Sequence, residues 1–475
     1  MSNELAKDSI SHYKTLGLLL TLYFAQGLPA GFITQALPAI LRQYQVSLVA
    51  IGWSGLILIP WGLKFLWATF VDGLYSDRVG RSRSWILPMQ MLSIAVLVAV
   101  AFFEPHNLSE FHAVVTLYSL LFCLSLIGAT HDVATDGLAT RLLKAPLDPK
   151  EPLTHEVAHA IEPTLTTQPS SSSSATQTIN HQHRQSQGNA IQVIGYRMGL
   201  IIGGGVLLMF LDKLGWQTSF LAMAGLVVLN TIPILLFKEP KLKEPTLAKS
   251  QTVLPRLPNT TEKISVNFQT VKNYINHHYS YFWSNREMQA WLMVLLVFKV
   301  ADGISSGMVK PMMVDIGVNL QQIGFWATIL GSGASLLGAG VATVLMKRLS
   351  RFRALLLFNF CQAITTGLYG LVAYGFYHHL LSNFAWLYAI NALEHFCASL
   401  ALIAMLTTIM HYARHEQAGS DFTVQVCLLT VLGGSAHFAS GYMAHYLGYV
   451  GHFGISMLIG FICLLPIAFW HKLQK

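Results

Sequence analysis

The chain has 475 residues, of which 53% are hydrophobic and only 11% are charged. A soluble domain usually has about 25% charged residues, so this composition excludes an ordinary soluble protein. The net charge of +8 does not indicate nucleic-acid binding, because the cations lie mostly in loops beside long apolar stretches.

Twelve apolar stretches follow one another along the chain, and each is long enough for a spanning helix of about 20 residues. In lipid, only helices and closed barrels satisfy every backbone hydrogen bond. We therefore predict an all-α membrane protein with twelve transmembrane helices in two six-helix halves. The stretches lie near residues 16–41, 48–70, 85–103, 111–140, 189–211, 216–237, 289–314, 321–346, 353–377, 384–411, 419–446 and 451–471.

Two polar loops divide the chain. Residues 238–288 are basic and contain several prolines, which predicts a central linker between an N-terminal half at 1–237 and a C-terminal half at 289–475. Residues 141–188 form a Ser-, Gln- and His-rich insert, which predicts a disordered cytoplasmic segment. His155 and His159 in this insert match H-E-x-x-H, but the insert predicts no scaffold around them. We predict no metal site and no cofactor.

The cations predict the orientation. Most of the 30 Lys and Arg residues fall in the two termini and in the loops that follow even-numbered stretches, whereas Arg42 and Lys213 lie in the opposite loops. By the positive-inside rule, both termini are predicted to be cytoplasmic. The five cysteines show no C-x-x-C spacing and predict neither a disulfide framework nor a metal cage.

The loop between the second and third stretches reads DGLYSDRVGRSR at residues 72–83. Its glycines permit a tight turn, and its Asp and Arg residues can pair with each other or with helix ends. The spacing resembles the signature loop of the major facilitator superfamily, except at Tyr75 and Ser82. The alternative interpretation is a solvated basic turn that only orients the helices. The resemblance implies a membrane transporter whose gating loop contains Gly73, Asp77, Arg78, Gly80 and Arg81.

An internal repeat supports two related halves. The pattern V-x-L-x-x-I-G-W at residues 46–53 recurs as V-x-L-x-x-I-G-F at 318–325, offset by 272 residues. Each copy enters the second predicted helix of its half. Parallel six-helix repeats place a substrate site between the halves, near the middle of the membrane.

Cations inside the predicted spans are costly in lipid and are expected to face the interior of the bundle. Lys64, Arg197 and Lys299 are therefore candidates for binding an anionic substrate, with simple charge balance as the alternative. Gln26 and Asp302 would add polar contacts.

Carboxylates in the spans predict a second role. Asp132 and Asp136 are four residues apart and share one helical face, and Glu394 lies in the tenth stretch. A carboxylate pair that faces cations can hold or release a proton, so these three residues are candidates for proton coupling. The alternative is a static network of salt bridges that locks the helices together.

A narrower resemblance rests on four runs, YFAQGLP at 23–29, KFLWA at 64–68, ATHDVATDGLA at 129–139 and GNAIQVIGYRMG at 188–199. These runs resemble the AmpG-related branch of the superfamily, which includes muropeptide permeases, acetyl-CoA transporters and the RhtX/FptX siderophore permeases. Within that branch, QALP at 35–38, DGLA at 136–139 and EQAGSDFTVQ at 416–425 are most similar to the siderophore group.

The resemblance implies proton-coupled import of a ferric siderophore by a monomer in the bacterial inner membrane. A muropeptide permease and a small-molecule exporter remain alternatives. An enzyme is not predicted. The sequence GISSG at 303–307 matches the G-x-S-x-G of hydrolases, but that motif needs a strand-to-helix turn and here falls inside a predicted span.

Overall fold

The fold is seen in a computed structural model that describes residues 2–76, 78–143, 191–239, 283, 285–414 and 418–474. Asp77, nearly all of the insert and most of the 238–288 loop lie outside this part. The disorder predicted for the insert, its H-E-x-x-H pattern and the domain boundaries therefore stay predictions.

Ten helical segments of the described part are long and apolar enough to cross a membrane. This confirms a multi-pass, all-helical membrane fold. The segments are α1 (Tyr13–Gln43), α2 (Leu48–Ala68), α3 (Arg83–Ala101), α4 (Phe111–Leu142), α5 (Ile191–Leu236), α6 (Arg286–Asp315), α7 (Leu320–Leu345), α8 (Arg351–Tyr377), α9 (Ala385–Tyr412) and α10 (Asp421–Leu473).

Two of these segments are much longer than one crossing. α5 has 46 residues and α10 has 53, and a straight helix of that length would span roughly 70 Å or more, against about 30 Å of hydrocarbon. Each contains one glycine with a positive φ, Gly215 at 74° and Gly448 at 63°, where the chain leaves the helical conformation. Both glycines fall between neighbouring predicted stretches. Division into twelve separate spans stays a prediction.

Local turns precede a proline in both α1 and α2. α1 contains a π-helical turn at Phe32–Ala36, and Pro38 follows in the first turn of the helix Leu37–Gln43. α2 contains a 3₁₀ turn at Trp53–Leu58, and Pro60 follows in the first turn of Ile59–Leu63. Proline has no N–H group to donate, so it fits where the hydrogen-bond pattern changes from a π or 3₁₀ turn to an α-helix.

The two ends of the bundle differ in their cores. The end that carries the 74–82 loop is called here the hairpin side, and the end that carries the α1–α2 loop is called the opposite side. On the opposite side, one hydrophobic cluster contains residues of both halves, such as Leu37, Val46, Met312 and Tyr449. On the hairpin side the buried apolar residues form separate clusters, each confined to one half. The halves are therefore packed together on the opposite side.

Glycines allow the close contact between halves. A Cβ atom on Gly52 of α2 would lie 2.8 Å from the backbone N of Gly441 in α10. A Cβ atom on Gly324 of α7 would lie 2.5 Å from the carbonyl oxygen of Gly205 in α5. Gly52 and Gly324 are the equivalent glycines of the internal repeat, so both copies place their glycine where the two halves touch.

Candidate functional site

The first charged cluster lies inside the first half. The ammonium group of Lys64 forms an ion pair with Asp132 Oδ2 of α4, although the two residues are 68 positions apart. The side chains are 18% and 8% exposed, and Lys64 Nζ lies 5.8 Å from the centroid of the Trp61 ring. A cation and a carboxylate removed from water must neutralise each other in this way.

Asp136 lies one turn further along α4 and has different partners. Its Oδ1 accepts hydrogen bonds from Tyr23 Oη of α1 at 2.8 Å and from Gln192 Nε2 of α5 at 3.4 Å. The two aspartates thus share a helix face, as the spacing predicts, but only Asp132 contacts a cation. Asp136 could therefore bind a proton without breaking the ion pair between Lys64 and Asp132.

Gln26 is buried against α4. Its Nε2 lies 3.1 Å from Nδ1 of His131, and the side chain is only 4% exposed. The ring of His131 also lies 3.4 Å from Thr135 Oγ1. Gln26 therefore contributes to packing between α1 and α4, and its contact with a substrate stays a prediction.

The second charged cluster lies inside the second half. Lys299 Nζ donates to Asp302 Oδ2 at 2.6 Å, and Gln362 Nε2 of α8 donates to Asp302 Oδ1 at 3.0 Å. Glu394 of α9 interacts electrostatically with both members of this pair. Lys299 and Asp302, two predicted substrate contacts, thus form an ion pair three residues apart on one helix.

Polar contacts also cross between the halves. Lys310 Nζ of α6 donates to Gln35 Oε1 of α1 at 2.9 Å. Ser54 Oγ of α2 lies 3.1 Å from His437 Nε2 of α10. Lys310 lies in the seventh predicted stretch, and the sequence analysis assigns it no role.

Arg197 of α5 differs from the other predicted recognition residues. Its side chain is half-buried, and it forms no ion pair or hydrogen bond with any residue in the described ranges.

The loop between α2 and α3 is organised around Glu239, which follows α5. The Glu239 carboxylate accepts hydrogen bonds from the backbone N–H groups of Ser82, at 3.0 Å, and Arg83, at 3.3 Å. It also pairs with the guanidinium of Arg141, at 3.3 Å. The carboxylate therefore caps the N-terminus of α3 and ties three hairpin-side segments together.

The predicted gating residues have separate places in this loop. Gly73 ends the helix Phe65–Gly73, Arg78 is exposed, and the Arg81 guanidinium lies 5.5 Å from the centroid of the Tyr75 ring. Gly80 has a φ of 110°, and a Cβ atom there would lie 2.6 Å from Glu239 Oε2. The positive φ favours glycine at this position. Asp77 lies outside the described residues, so its role stays a prediction.

Sequence reasoning missed Glu239 and Arg141. Glu239 is the acid of a Lys-Glu-Pro run at the end of the sixth apolar stretch, and Arg141 lies in the last turn of the helix Phe111–Leu143. The sequence signal for Glu239 was its position as an acidic residue at the edge of the membrane, where it could meet the basic 72–83 loop.

The G-x-S-x-G match lies within the continuous helix Val300–Asp315. A Cβ atom on Gly303 would lie 2.5 Å from the carbonyl oxygen of Gly433, so the small residues serve close helix packing. Within the described ranges, no group of three or more His, Cys, Asp or Glu side chains could hold a metal ion.

Comparisons with known proteins agree with this architecture. The family model described as "Acetyl-coenzyme A transporter 1" matches residues 15–147, and the model "Major Facilitator Superfamily" matches residues 166–375. The chain is 26% identical over 421 residues to the anhydromuropeptide permease of Escherichia coli K12, which covers 87% of this chain and 71% of the permease. It is 21% identical to the putative transporter AmpG 4 of Rickettsia conorii, with 95% of each chain covered.

Solved structures show the same fold at low identity. A POT family transporter in complex with 5-aminolevulinic acid superposes with a TM-score of 0.66 at 13% identity, covering 97% of this chain and 96% of the other. A bacterial homologue of the lysosomal transporter Spinster, in an inward-facing and unoccupied conformation, gives a TM-score of 0.63 at 12% identity, covering 98% and 96%.

The all-helical membrane fold and the match of residues 166–375 to the Major Facilitator Superfamily model indicate a membrane transporter of the major facilitator type. Within that class, the chain is related to the AmpG permeases.

Proposed function

We propose that this transporter imports an anionic sugar–peptide of the anhydromuropeptide type across the bacterial inner membrane. The observation that carries the proposal is the relationship to the E. coli anhydromuropeptide permease over 87% of the chain. Cations within the spans of both halves, such as Arg197 and Lys310, suit a solute that has carboxylates.

Alternating access supplies the mechanism. The halves share one core on the opposite side and have separate cores on the hairpin side, which is the arrangement expected of a state that is closed on the opposite side. Import then requires the shared core to open and the hairpin-side clusters to close around the substrate. We infer that the hairpin side and both termini are cytoplasmic, which the distribution of Lys and Arg supports.

Protons are the proposed driving ions, and a monomer is the proposed unit of transport. Asp136 is held by neutral donors, Asp132 is paired with Lys64, and Glu394 lies near the Lys299–Asp302 pair. In the proposed mechanism, these carboxylates bind a proton in one state and form an ion pair in the other, as the cavity opens to one side of the membrane and then to the other.

Ferric siderophore import is the second candidate. It rests on the predicted resemblance of the QALP, DGLA and EQAGSDFTVQ runs to the RhtX/FptX permeases. Ferric catecholates and carboxylates are anionic and partly aromatic, so the same cations and the nearby Trp61 would suit them.

One strain background separates the two candidates. The chain is expressed in cells that lack their own anhydromuropeptide permease and their own siderophore permeases. Uptake of radiolabelled anhydromuropeptide without growth on ferric siderophores supports the proposal. Growth on a defined ferric siderophore as sole iron source, without muropeptide uptake, would replace it with the second candidate.

A further inference from the structure

A groove between α7 and α9 opens on the opposite side of the bundle. Its volume is about 640 Å³, within the range of about 300–1,000 Å³ that is usual for small-molecule sites. The lining comes from the first turns of α7, from the loop between α8 and α9, and from the start of α9. None of the lining residues belongs to either charged cluster. The groove is therefore distinct from the charged interior of the bundle.

The groove continues an apolar stripe on the outside of α7. Four residues of this stripe follow helical spacing and are each at least 40% exposed, namely Trp326, Leu330, Leu337 and Val341. Trp326 and Leu330 also line the groove. On α9, the neighbouring Trp386 is 61% exposed. An exposed stripe of apolar side chains on a spanning helix suits contact with lipid, so the groove opens laterally to the bilayer.

Neutral amides form the water end of the groove. Gln322 lies in the first turn of α7, where its Oε1 accepts a hydrogen bond from the N–H group of Asn319 at 3.4 Å. Asn383 precedes α9, and its Oδ1 accepts from the N–H group of Ala385 at 2.8 Å. Both side-chain oxygens are thus engaged, and neither NH₂ group has a hydrogen-bond partner among the described residues. Each amide keeps two donors for an acceptor such as a phosphate oxygen.

Two stacked rings form the wall next to these amides. The ring centroids of Trp326 and Tyr388 are 5.5 Å apart, and the ring planes are 12° from parallel. Trp326 lies one helical turn further into the membrane than Gln322, and Leu330 and Ala392 line the part beyond the rings. Tryptophan and tyrosine are typical of the level of the lipid headgroups. The groove is therefore polar at its water end and apolar at its membrane end, as a phospholipid is.

The α7 wall of the groove is held in place by two other helices. Trp326 lies in the π-helical turn Ile323–Ile329. Asn391 Nδ2 of α9 donates to the carbonyl oxygen of Ala327 in this turn at 3.0 Å, and Tyr369 Oη of α8 donates to Asn391 Oδ1 at 3.2 Å. The groove is thus formed before a ligand enters it, which lowers the entropic cost of binding.

We propose that this groove binds one zwitterionic phospholipid from the leaflet on the opposite side. An acyl chain lies along Trp326 and Leu330, and the phosphate accepts hydrogen bonds from Gln322 and Asn383. The lining contains no Lys or Arg, so it offers no cation that would select a net negative headgroup. Lipid binding here does not depend on which solute is transported, so it can be tested separately from the proposed function.

Native mass spectrometry of the purified full-length protein tests the site, because it counts the lipids retained on each molecule. The probes are phosphatidylethanolamine, phosphatidylglycerol and diacylglycerol with the same acyl chains. We expect the first phosphatidylethanolamine to bind about tenfold or more tightly than later copies and than diacylglycerol, which lacks the phosphate. Phosphatidylglycerol should bind no more tightly than phosphatidylethanolamine.

Two substitutions at different ends of the groove should weaken this binding. Ala389→Phe places a ring in the groove and should raise the Kd of the first phosphatidylethanolamine by about tenfold or more. Gln322→Glu keeps an oxygen that caps α7 but replaces the NH₂ donor with a charged acceptor. Phosphatidylethanolamine should then lose its advantage over diacylglycerol.

Each substitution has a matched control outside the groove. Ala222→Phe makes the same change at an exposed alanine of α5, and Gln321→Glu makes the same change at the exposed neighbour of Gln322. Both should leave the Kd unchanged. Melting temperatures without lipid show whether each variant is folded, and a folding defect in one groove variant leaves the other as the test.

Three outcomes would contradict the proposal. A series of equally weak lipids that is unchanged in Ala389→Phe would mean that only annular lipid surrounds the groove. Equal binding of phosphatidylethanolamine and diacylglycerol to the wild-type protein would mean that the amides do not recognise the phosphate. Tighter binding of phosphatidylglycerol than of phosphatidylethanolamine would mean that the headgroup is anionic rather than zwitterionic.

Discussion

Arg42 at the end of α1 donates from Nε to Asp315 Oδ1 at the end of α6, at 2.6 Å. These residues belong to different halves, and the ion pair lies at the edge of the shared core on the opposite side. Asp315 also accepts a hydrogen bond from Tyr449 Oη, at 2.7 Å, within its own half. The ion pair between Arg42 and Asp315 therefore links the two halves on the opposite side, where they share a core. It must break when the opposite side opens.

Arg42→Gln is expected to favour opening of the opposite side. The two side chains are 22% and 21% exposed, so the pair is worth about 1 kcal/mol, roughly a fivefold change in the open population. Spin labels at the exposed positions Asn107 and His378, in protein without its five native cysteines, measure the separation of the halves. We expect a longer distance to gain population in Arg42→Gln.

Tyr449→Phe is the matched control for this experiment. It removes a hydrogen bond to the same carboxylate without removing a contact between halves. An equal shift in both variants would mean that Asp315 stabilises its own half rather than the contact.

The helical class and the charged residues of the site were predictable, because apolar length and intramembrane charge are properties of the chain itself. The Lys299–Asp302 pair could also be predicted from its i, i+3 spacing. The choice between Lys64 and Arg197 as the partner of Asp132 could not be predicted, because it depends on how α2, α4 and α5 pack. At Gly215 and Gly448, which lie between neighbouring predicted stretches, the chain leaves the helical conformation.

We expect the loops that are rich in Lys and Arg to lie on the cytoplasmic side of the membrane. Reporter fusions after Lys475 and within residues 141–188 should behave as cytoplasmic, and a fusion near Pro105 should behave as periplasmic. Alkaline phosphatase and green fluorescent protein fusions at the same sites give opposite readouts and check each other. A periplasmic result at residue 260 would contradict the model of two halves joined by a cytoplasmic linker.

Glu239→Ala is expected to loosen the loop between α2 and α3. The substitution removes the cap of α3 and the partner of Arg141, and loss of a helix cap costs about 1 kcal/mol. In detergent, trypsin should then cut faster after the exposed Arg78. Glu110→Ala removes an exposed acid on the opposite side and should leave the cleavage rate unchanged.

Asp77→Asn tests the predicted gating role of the same loop. If Asp77 forms an ion pair in only one state of the transport cycle, the substitution should reduce transport and leave the amount of protein in the membrane near normal. Immunoblots and uptake rates from the same membranes measure both quantities. Loss of protein with unchanged activity per molecule would favour a turn that only orients the helices.

Substitutions of Asp132 and Lys64 separate proton coupling from static pairing. Asp132→Asn leaves the Lys64 ammonium without its partner, and breaking a buried pair in this way costs on the order of 3 kcal/mol. Asp132→Asn/Lys64→Gln removes both charges and should restore most of the stability. Melting temperatures of the three purified proteins check this step.

Transport by the same double variant then decides the role of Asp132. If Asp132 exchanges its proton during the cycle, uptake driven by a pH gradient should stay impaired in the double variant. Substrate exchange, which needs no net proton movement, should recover with the stability. Both activities are measured on one preparation of vesicles. Full recovery of gradient-driven uptake would show that Lys64 and Asp132 form a static pair, and proton coupling would then have to rest on Asp136 or Glu394.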